Sequence, residues 1–311
     1  MAKDHKYVLS VVVGTLNRLD RLRECIESII RETSIPIKIY VTDAGSTDGT
    51  VEYLKKLNPE LFHVILHEKK IGQAKAYNEI FSQITTPYTC WISDDNIVVN
   101  NSLETAVNIL NSKRGIGMVG LKTKDMQGPF VREAYIGGIS EAGILNVNQG
   151  VLRTEIIHKL GGFSEEFMDY GIDPDLTARV LFAGHQIVYT KKIAILHWRD
   201  WGDSEVLSGQ MAKQDRYKAL YNNKYLKCGG IPHQDPRLSR QIAGIKHILS
   251  KIARFTNCNK LDFFARDVYN IILSRYISYL DPISFLFKTY HLRQRVDQKT
   301  LASFSEWYGK N

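Results

Sequence analysis

Residues 91–96 read Trp91-Ile92-Ser93-Asp94-Asp95-Asn96. The first two of them end an apolar run that covers residues 88–92. The run predicts a buried strand that ends in two adjacent carboxylates and an amide. Adjacent carboxylates repel each other and resist removal from water. Mg²⁺ or Mn²⁺ offsets that cost, because these ions prefer carboxylate oxygens and also hold phosphates. The stretch predicts a metal–diphosphate site at the C-terminal edge of a sheet; the alternative is a solvated turn or a helix N-cap at Asp95 or Asn96.

Strand, loop and helix alternate through the first 200 residues. Continuous apolar, β-branched runs predict buried parallel strands, and apolar residues at helical spacing predict the helices between them. The predicted strands are 7–13, 35–41, 62–66, 88–92, 118–122, 186–189 and 193–196, and later helices are expected at 72–84, 103–110, 155–160 and 177–182. The alternation predicts an α/β fold with a mostly parallel sheet and a ligand site at the carboxyl ends of its strands.

Polar loops follow the first two predicted strands. Thr15 and Asn17 come after the first strand, and Asp43 follows the second, ahead of the tight loop that contains Ser46. Each loop alone is consistent with a turn and a helix cap, but an acid at the position of Asp43 can also accept hydrogen bonds from a ribose or a base. Because the loops meet at one sheet edge beside the acidic pair, they predict a ligand site. No Gly-x-Gly-x-x-Gly follows the first strand, which disfavours a dinucleotide-binding fold of the dehydrogenase type. No phosphate loop with Gly-Lys-Ser/Thr occurs either.

Three further polar residues are candidates for the same site. Asp173 and Asp175 precede the predicted helix 177–182, where they either cap the helix or supply a general base. His197 follows the last predicted strand, where it either completes a metal shell or has a structural role. Spacing alone does not separate these alternatives.

Six motifs resemble, in order, those of the family 2 glycosyltransferases of the GT-A fold. Their positions in this sequence follow, each with the family's own form of the motif in parentheses: 13–18 (Thr-x-Asn-Arg after the opening strand), 42–50 (Val-Asp-Asn-Gly-Ser-Thr-Asp-Gly-Thr), 72–78 (Gly-x-x-x-Ala-Arg-Asn), 93–95 (Asp-x-Asp), 161–165 (Gly-Gly-Phe-Asp-Glu) and 171–176 (Gly-Glu-Asp-x-Asp-Leu). Gly14 stands where proline is usual and Tyr77 replaces an arginine. Ser93 replaces the first acid of Asp-x-Asp, and Ile172 replaces a glutamate. The resemblance covers roughly residues 7–200.

This resemblance implies a GT-A fold and a sugar transfer with inversion from a nucleotide-diphosphate donor, with a UDP-sugar as the first choice, to a hydroxyl of a glycan or lipid-linked acceptor. It implies a divalent cation, Mn²⁺ or Mg²⁺, held mainly by Asp95 with Asp94 and His197. The implied base is Asp173, with Asp175 as second choice. The donor-binding residues it implies are Thr15, Asn17, Asp43, Ser46, Gly72, Lys75, Asn78 and Asp94. The alternative is a non-catalytic nucleotide-sugar or glycan binding module on the same fold.

Residues 206–311 differ in charge from residues 1–205. They hold 18 Lys or Arg against 7 Asp or Glu, a net charge of +11, whereas residues 1–205 are slightly acidic at −3, which gives +8 for the whole chain. We expect 1–205 to form the catalytic domain and 206–311 a basic helical extension, with helices at 211–226, 238–255, 261–280 and 283–292. A basic, aromatic-rich surface predicts contact with an anionic membrane face, and a homo-oligomer formed through these helices is the alternative. Long apolar faces interrupt the basic residues, which disfavours nucleic-acid binding.

The sequence also carries expectations about location. The first residues are charged and lead into no apolar stretch of the signal-peptide type, and no apolar run approaches the roughly 20 residues of a spanning helix. The four cysteines are scattered, which argues against a zinc site and is typical of reduced thiols. We therefore expect a cytoplasmic protein that contacts the inner face of the cell membrane.

Overall fold

The structure is a computed structural model that describes residues 6–140, 142–202, 204–225, 244, 247–248, 251–252, 255, 280–281 and 290–296. The first half contains β1 (Leu9–Thr15), α1 (Leu19–Arg31), β2 (Ile37–Asp43), α2 (Thr50–Leu54), β3 (Phe62–Leu66), α3 (Gln73–Phe81), β4 (Tyr88–Ser93), β5 (Asn96–Val98), α4 (Ser102–Ser112), β6 (Ile116–Gly120) and β7 (Thr123–Asp125). The second half contains β8 (Gly138–Ile139), β9 (Leu145–Asn146), β10 (Gly150–Arg153), α5 (Thr154–Leu160), α6 (Ile172–Phe182), β11 (Gln186–Thr190), β12 (Ile195–His197), α7 (Ser204–Tyr225), β13 (Leu280–Asp281) and β14 (Tyr290–Gln294).

One large sheet organises the described residues. Its strand order is β13-β14-β11-β6-β10-β4-β1-β2-β3. Strands β3, β2, β1 and β4 are parallel neighbours, whereas β10 runs antiparallel between β4 and β6. Gly14 of β1 pairs with Thr42 on one side and with Ser93 on the other, so the loops after three strands open at the same sheet edge.

A second, three-stranded sheet lies next to that edge. Its order is β5-β12-β7, and β12 pairs antiparallel with β5 and parallel with β7. In this register His197 lies opposite both Asn96 and Asp125. Because β5 begins directly after the acidic pair, this sheet brings His197 beside the end of β4.

Helices cover both faces of the large sheet, as the continuous apolar strands predict. Val12 packs in one core with residues of α3, α5 and α6, whereas Val11 and Val13 pack in the other with residues of α1 and α4. All three valines are fully buried. This is the α/β architecture expected from the sequence, with a mostly parallel sheet flanked by helices.

Several predicted boundaries were wrong. Strands β1 and β2 begin and end two residues later than predicted, so Thr15 and Asp43 are strand residues rather than loop residues. Helix α6 begins at Ile172 instead of 177, which places Asp173 and Asp175 within its first turn. Strands β5, β7, β8, β9 and β10 were not predicted, because strands of two to four residues carry almost no periodic signal.

The predictions for the C-terminal region have mixed outcomes. The helix predicted at 211–226 is present as α7, which starts earlier, at Ser204. Residues 290–292 of the predicted helix 283–292 belong instead to β14, where buried Tyr290 and Leu292 alternate along a strand paired with β11. Leu280, predicted to end a helix, lies in β13. Most of 238–255, 261–280 and 283–289 lies outside the described residues.

The division into 1–205 and 206–311, the membrane contact and the oligomer stay predictions. Helix α7 and strand β14, both from the C-terminal part, pack against the large sheet or its helices. None of the helices in the described ranges is long and apolar enough to cross a bilayer.

Gly14 sits under a buried tyrosine at the end of β1. A Cβ at Gly14 would lie 2.7 Å from Tyr77 Cε2, closer than real Cβ atoms approach a neighbour. The Tyr77 hydroxyl accepts from Gly14 N (2.9 Å) and donates to Ile92 O (2.8 Å), so the ring is fixed between β1 and β4. Glycine at 14 and tyrosine at 77, two of the departures from the family pattern, are therefore packed against each other.

We predict that Gly14→Ala lowers the free energy of unfolding by about 1–3 kcal/mol, the usual cost of overpacking a core. Urea unfolding measures the change. Gly209→Ala is the matched control, because a Cβ there meets nothing within 4 Å and alanine is a better helix residue than glycine. Equal stability of Gly14→Ala and the unchanged protein would contradict the packing argument.

Candidate functional site

A large cleft opens at the carboxyl ends of β1, β2 and β4. Its volume is about 1050 Å³. Sites for small ligands are commonly about 300–1,000 Å³, so this cleft lies at the upper end of that range. Residues of α7 line the side opposite the strand ends, among them Gln210, Tyr217 and Tyr221. The cleft contains Asp94, Asp95, Asp173 and His197 together, as the sequence predicts.

The acidic pair at the end of β4 is buried and shares one cation. Asp94 is 3% exposed and Asp95 is 5% exposed. Arg18 Nη1 donates to Asp94 Oδ1 and to Asp95 Oδ2, at 3.1 Å in each case. The Thr15 hydroxyl donates to Asp94 Oδ2 at 2.8 Å. Both oxygens of Asp94 are therefore occupied by protein donors, whereas Asp95 uses only Oδ2 in this way.

The pKa values of the two acids are shifted in opposite directions. Burial, together with the charge of Asp95, raises the pKa of Asp94 to about 6, although Arg18 and Thr15 oppose the rise. Burial also acts to raise the pKa of Asp95, but His197 and Arg18 outweigh it and hold that pKa below its usual value. Asp95 is thus the more firmly ionised member of the pair.

His197 lies between two carboxylates. Its Nδ1 is 2.7 Å from Asp125 Oδ1, and its Nε2 is 3.4 Å from Asp95 Oδ1. The second distance is that of an ion pair without a well-formed hydrogen bond, and Asp95 Oδ1 is buried without a hydrogen-bond donor. Burial lowers the pKa of His197, but the hydrogen bonds and charges of Asp125 and Asp95 outweigh burial and raise it to about 9.

These residues fit a divalent cation at one point. Asp95 Oδ1 and His197 Nε2 face each other, and Asp125 fixes the imidazole from its other nitrogen, the arrangement in which a carboxylate orients a metal-binding histidine. Within the described residues, no group of three or more His, Cys, Asp or Glu side chains is arranged to hold a metal ion. Two protein ligands suit Mg²⁺ or Mn²⁺, which commonly take their other ligands from water and substrate phosphates.

Asp173 is the carboxylate on the other side of the cleft. Trp91 Nε1 donates to Asp173 Oδ1 at 3.2 Å and to Asn148 O at 3.0 Å. Burial raises the pKa of Asp173 to about 8, and the hydrogen bond from Trp91 only partly opposes this. A carboxylate with a pKa near neutrality at the wall of a cleft is suited to proton transfer.

Asp175 has a different environment, although it is two residues away on α6. It is fully buried and does not line the cleft. Its Oδ2 accepts from Arg179 Nε (2.7 Å), and its Oδ1 accepts from Lys224 Nζ (3.0 Å) and Tyr225 Oη (2.7 Å). These contacts link α6 to the end of α7. They favour Asp173 over Asp175 as the base.

The predicted donor-binding residues divide into two groups. Thr15, Gly72 and Asp94 line the cleft. Five others hold local structure or lie outside the cleft lining: Asn17, Asp43, Ser46, Lys75 and Asn78.

The second group has clear partners in most cases. The Ser46 hydroxyl accepts from Asn17 N (2.8 Å), which ties the first two loops together. Asp43 Oδ2 accepts from Gly45 N and Ser46 N, both at 2.9 Å, while its Oδ1 is buried without a donor. Asn78 bonds the backbone of Phe163 on both its N–H and C=O, and Lys75 is exposed. One oxygen of Asp43 therefore has no hydrogen-bond partner among the described residues, whereas Asn78 holds the backbone of Phe163.

Sequence reasoning assigned no role to Arg18, Trp91 or Asp125. Arg18 was visible as the last residue of the first motif, but nothing in the sequence shows that it reaches the acidic pair. Nothing in the sequence indicates a role for Asp125, because its contact with His197 depends on the pairing of β7 with β12, and the two residues are 72 positions apart.

Comparison with known proteins shows sequence similarity to glycosyltransferases. Residues 10–158 match the model of the family described as Glycosyl transferase family 2. The chain is 31% identical over 102 residues to the uncharacterized glycosyltransferase YibD of Escherichia coli, covering 32% of this chain and 30% of that protein. It is 31% identical over 115 residues to the glycosyltransferase GlyG of Streptococcus pneumoniae, covering 36% of this chain and 38% of that protein. The matched segments thus span less than two fifths of these relatives.

Comparison with solved structures identifies the fold. A crystal structure of S. aureus TarS 1–349 in complex with UDP-GlcNAc superimposes with a TM-score of 0.53 and 16% identity, covering 86% of this chain and 91% of that one. A complex of the same TarS fragment with UDP gives the same values. The superposition confirms the GT-A fold, and the family match over residues 10–158 confirms the resemblance to family 2 glycosyltransferases.

The two acids of α6 should respond oppositely to neutralisation. We predict that Asp175→Asn lowers the free energy of unfolding by about 3–5 kcal/mol at pH 7, because it removes the buried anion that faces Arg179 and Lys224. Asp173→Asn should leave the melting temperature unchanged or raise it, because the folded state disfavours ionised Asp173. Thermal unfolding of both variants measures the contrast.

The pH dependence gives a second check of the same contrast. The raised pKa of Asp173 contributes stability that is present below the unfolded-state pKa of about 4 and is lost as pH rises toward 8. The advantage of Asp173→Asn over the unchanged protein should therefore grow between pH 5 and pH 8. A stability difference that does not change across this range would contradict the assignment.

Proposed function

We propose that this chain transfers a sugar, with inversion, from a nucleoside-diphosphate sugar to a hydroxyl group of an acceptor. The observation that carries the proposal is that one cleft holds a carboxylate–histidine pair suited to a cation and, separately, the half-buried carboxylate of Asp173. The first group suits a departing diphosphate, and the second suits the deprotonation of an attacking hydroxyl.

The nucleoside half of the donor is assigned to the ends of β1 and β2. Asp43 Oδ1 and Thr42 Oγ1 are buried acceptors without a hydrogen-bond donor. Buried polar groups are normally paired, so two such atoms at one strand end are consistent with a ligand that supplies N–H or O–H groups. Thr15 and Gly72 would form the neighbouring walls, since both line the cleft.

Asp95 and His197 would hold a divalent cation, Mn²⁺ or Mg²⁺, together with the donor diphosphate. Such an ion supplies neutralisation of the charge that develops on the leaving diphosphate. The chain's own contribution is the geometry: Asp125 orients His197, and the hydrogen bonds of Arg18 and Thr15 hold Asp94 beside Asp95. Asp94 would act as a support for the site rather than as a principal ligand.

Asp173 would accept the proton of the acceptor hydroxyl. Trp91 donates to one oxygen of Asp173, which fixes the carboxyl group and favours its ionised form. Attack by the acceptor from the side opposite the diphosphate inverts the anomeric carbon, and the leaving group departs as the nucleoside diphosphate.

The comparisons support a UDP-sugar donor and leave two acceptor classes. The TarS complexes hold UDP and UDP-GlcNAc. A cholesterol galactosyltransferase of Borreliella burgdorferi is 28% identical over 105 residues, covering 33% of this chain and 29% of that protein. We propose a UDP-sugar donor and a glycan or lipid-linked acceptor, with the reaction at the cytoplasmic face of the membrane.

Release of nucleoside diphosphate tests this function. We expect UDP release from a panel of UDP-sugars in the presence of Mn²⁺ and a mixture of glycan and glycolipid acceptors. Asp95→Asn should reduce release about 100-fold or more, since a group that stabilises developing charge is commonly worth that much. Asp20→Asn, an exposed acid on α1, is the control. Nucleotide binding without turnover for every donor and acceptor would instead favour the non-catalytic binding module.

The pH dependence of kcat/KM tests the base. The active form of Asp173 is the carboxylate, so kcat/KM should fall as pH drops below about 8, approaching tenfold per pH unit. Asp173→Asn should lower kcat by about 10²–10⁴-fold and remove this limb of the profile. An unchanged limb in Asp173→Asn would assign it to another group.

A further inference from the structure

Arg18 is placed so that Asp95 can serve two different cations. Arg18 Nη1 bonds Asp95 Oδ2, whereas His197 Nε2 faces Asp95 Oδ1. A cation held by Oδ1 and His197 would therefore leave the contact between Arg18 and Oδ2 in place. The guanidinium and a divalent ion do not compete for the same oxygen.

Two nitrogens of the Arg18 guanidinium make no hydrogen bond to the described residues. In the described ranges, the hydrogen bonds of the Arg18 side chain both come from Nη1. The side chain is 40% exposed and lines the cleft. An arginine has five N–H donors in a planar fork, so Nε and Nη2 remain able to bind phosphate oxygens.

Two lysines near these strand ends are occupied or turned away. Lys70 is paired with Asp169 at 2.9 Å, and Lys75 is exposed outside the cleft lining. Tyr77 occupies a position where the family pattern has an arginine, and it is buried with its hydroxyl bonded to the backbone. Arg18 is thus well placed to provide positive charge here.

We propose that Arg18 is a second, protein-borne cation of the donor site and binds the donor diphosphate directly. The proposal rests on the sugar-transfer function above and adds that binding of the diphosphate does not depend wholly on a divalent ion. Asp94 and Asp95 hold the guanidinium in position, and the N–H groups of Nε and Nη2 donate to the phosphate oxygens. Arg18 then stabilises the same departing charge as the divalent ion, from the other side of Asp95.

Binding in the presence and absence of metal tests the proposal. The probes are UDP, GDP, dTDP and inorganic pyrophosphate, each measured by calorimetry and by thermal shift with EDTA or with Mn²⁺. The proteins are the unchanged chain, Arg18→Gln, Arg18→Lys and Arg31→Gln. Arg31 is the matched control, because it is an exposed arginine at the C-terminal end of α1, the helix that Arg18 precedes. Among the described residues it is paired only with Glu32.

We expect the unchanged chain and Arg31→Gln to bind at least one diphosphate in EDTA. Arg18→Gln should bind it about tenfold or more weakly, the effect of losing a charge-assisted hydrogen bond. Arg18→Lys, which keeps the charge but not the fork, should lie between them. With Mn²⁺, Arg18→Gln should recover most of its binding, which also shows that the variant is folded.

Two results would overturn the proposal: no binding by the unchanged chain in EDTA, or equal binding by Arg18→Gln and Arg31→Gln in EDTA. Either result together with normal binding in Mn²⁺ would reject the role of Arg18 and leave the sugar-transfer function intact. Failure of every diphosphate to bind the unchanged chain even with Mn²⁺ would reject the proposed function itself.

Discussion

Repulsion between the buried carboxylates of Asp94 and Asp95 is the constraint on which the rest of the site depends. Strand β4 is buried on both faces, so it delivers the two acids to a place with little water. Positive charge must then come from the surrounding chain. The loop after β1 supplies Arg18 and the end of β12 supplies His197, and each contacts a different oxygen of Asp95. The small sheet thus places His197 beside the acidic pair at the end of β4 in the large sheet.

The acidic pair and the polar strand ends could be predicted because they depend on local order. An apolar run followed by acids places those acids at a sheet edge, whatever the rest of the chain does. The partner of His197 could not be predicted in this way. Asp125 reaches His197 through a three-residue strand whose pairing spans 72 positions. A strand so short has no usable periodicity, and tertiary packing alone sets its register.

The two acids of α6 show a related limit. Residues two apart on a helix point about 200° away from each other around its axis, so only one of Asp173 and Asp175 can face the cleft. The sequence gives no means of choosing, because both are aspartates at the start of one helix. The surroundings decide: Asp173 faces the cleft with one indole donor, whereas Asp175 faces three donors inside the protein. The same side chain is then poised for proton transfer at one position and is a structural anion at the other.

The anion of Asp175 also connects Asp173 to the C-terminal part of the chain. Lys224 and Tyr225 at the end of α7 bind Asp175, and Asp175 lies in the helical turn that presents Asp173. Net charge suggests a boundary near residue 205, because charge is a property of the surface. Packing crosses that boundary, since Tyr221 and Tyr225 are buried in the core that contains α6. The position of Asp173 therefore depends on residues that the charge pattern alone assigns to a separate region.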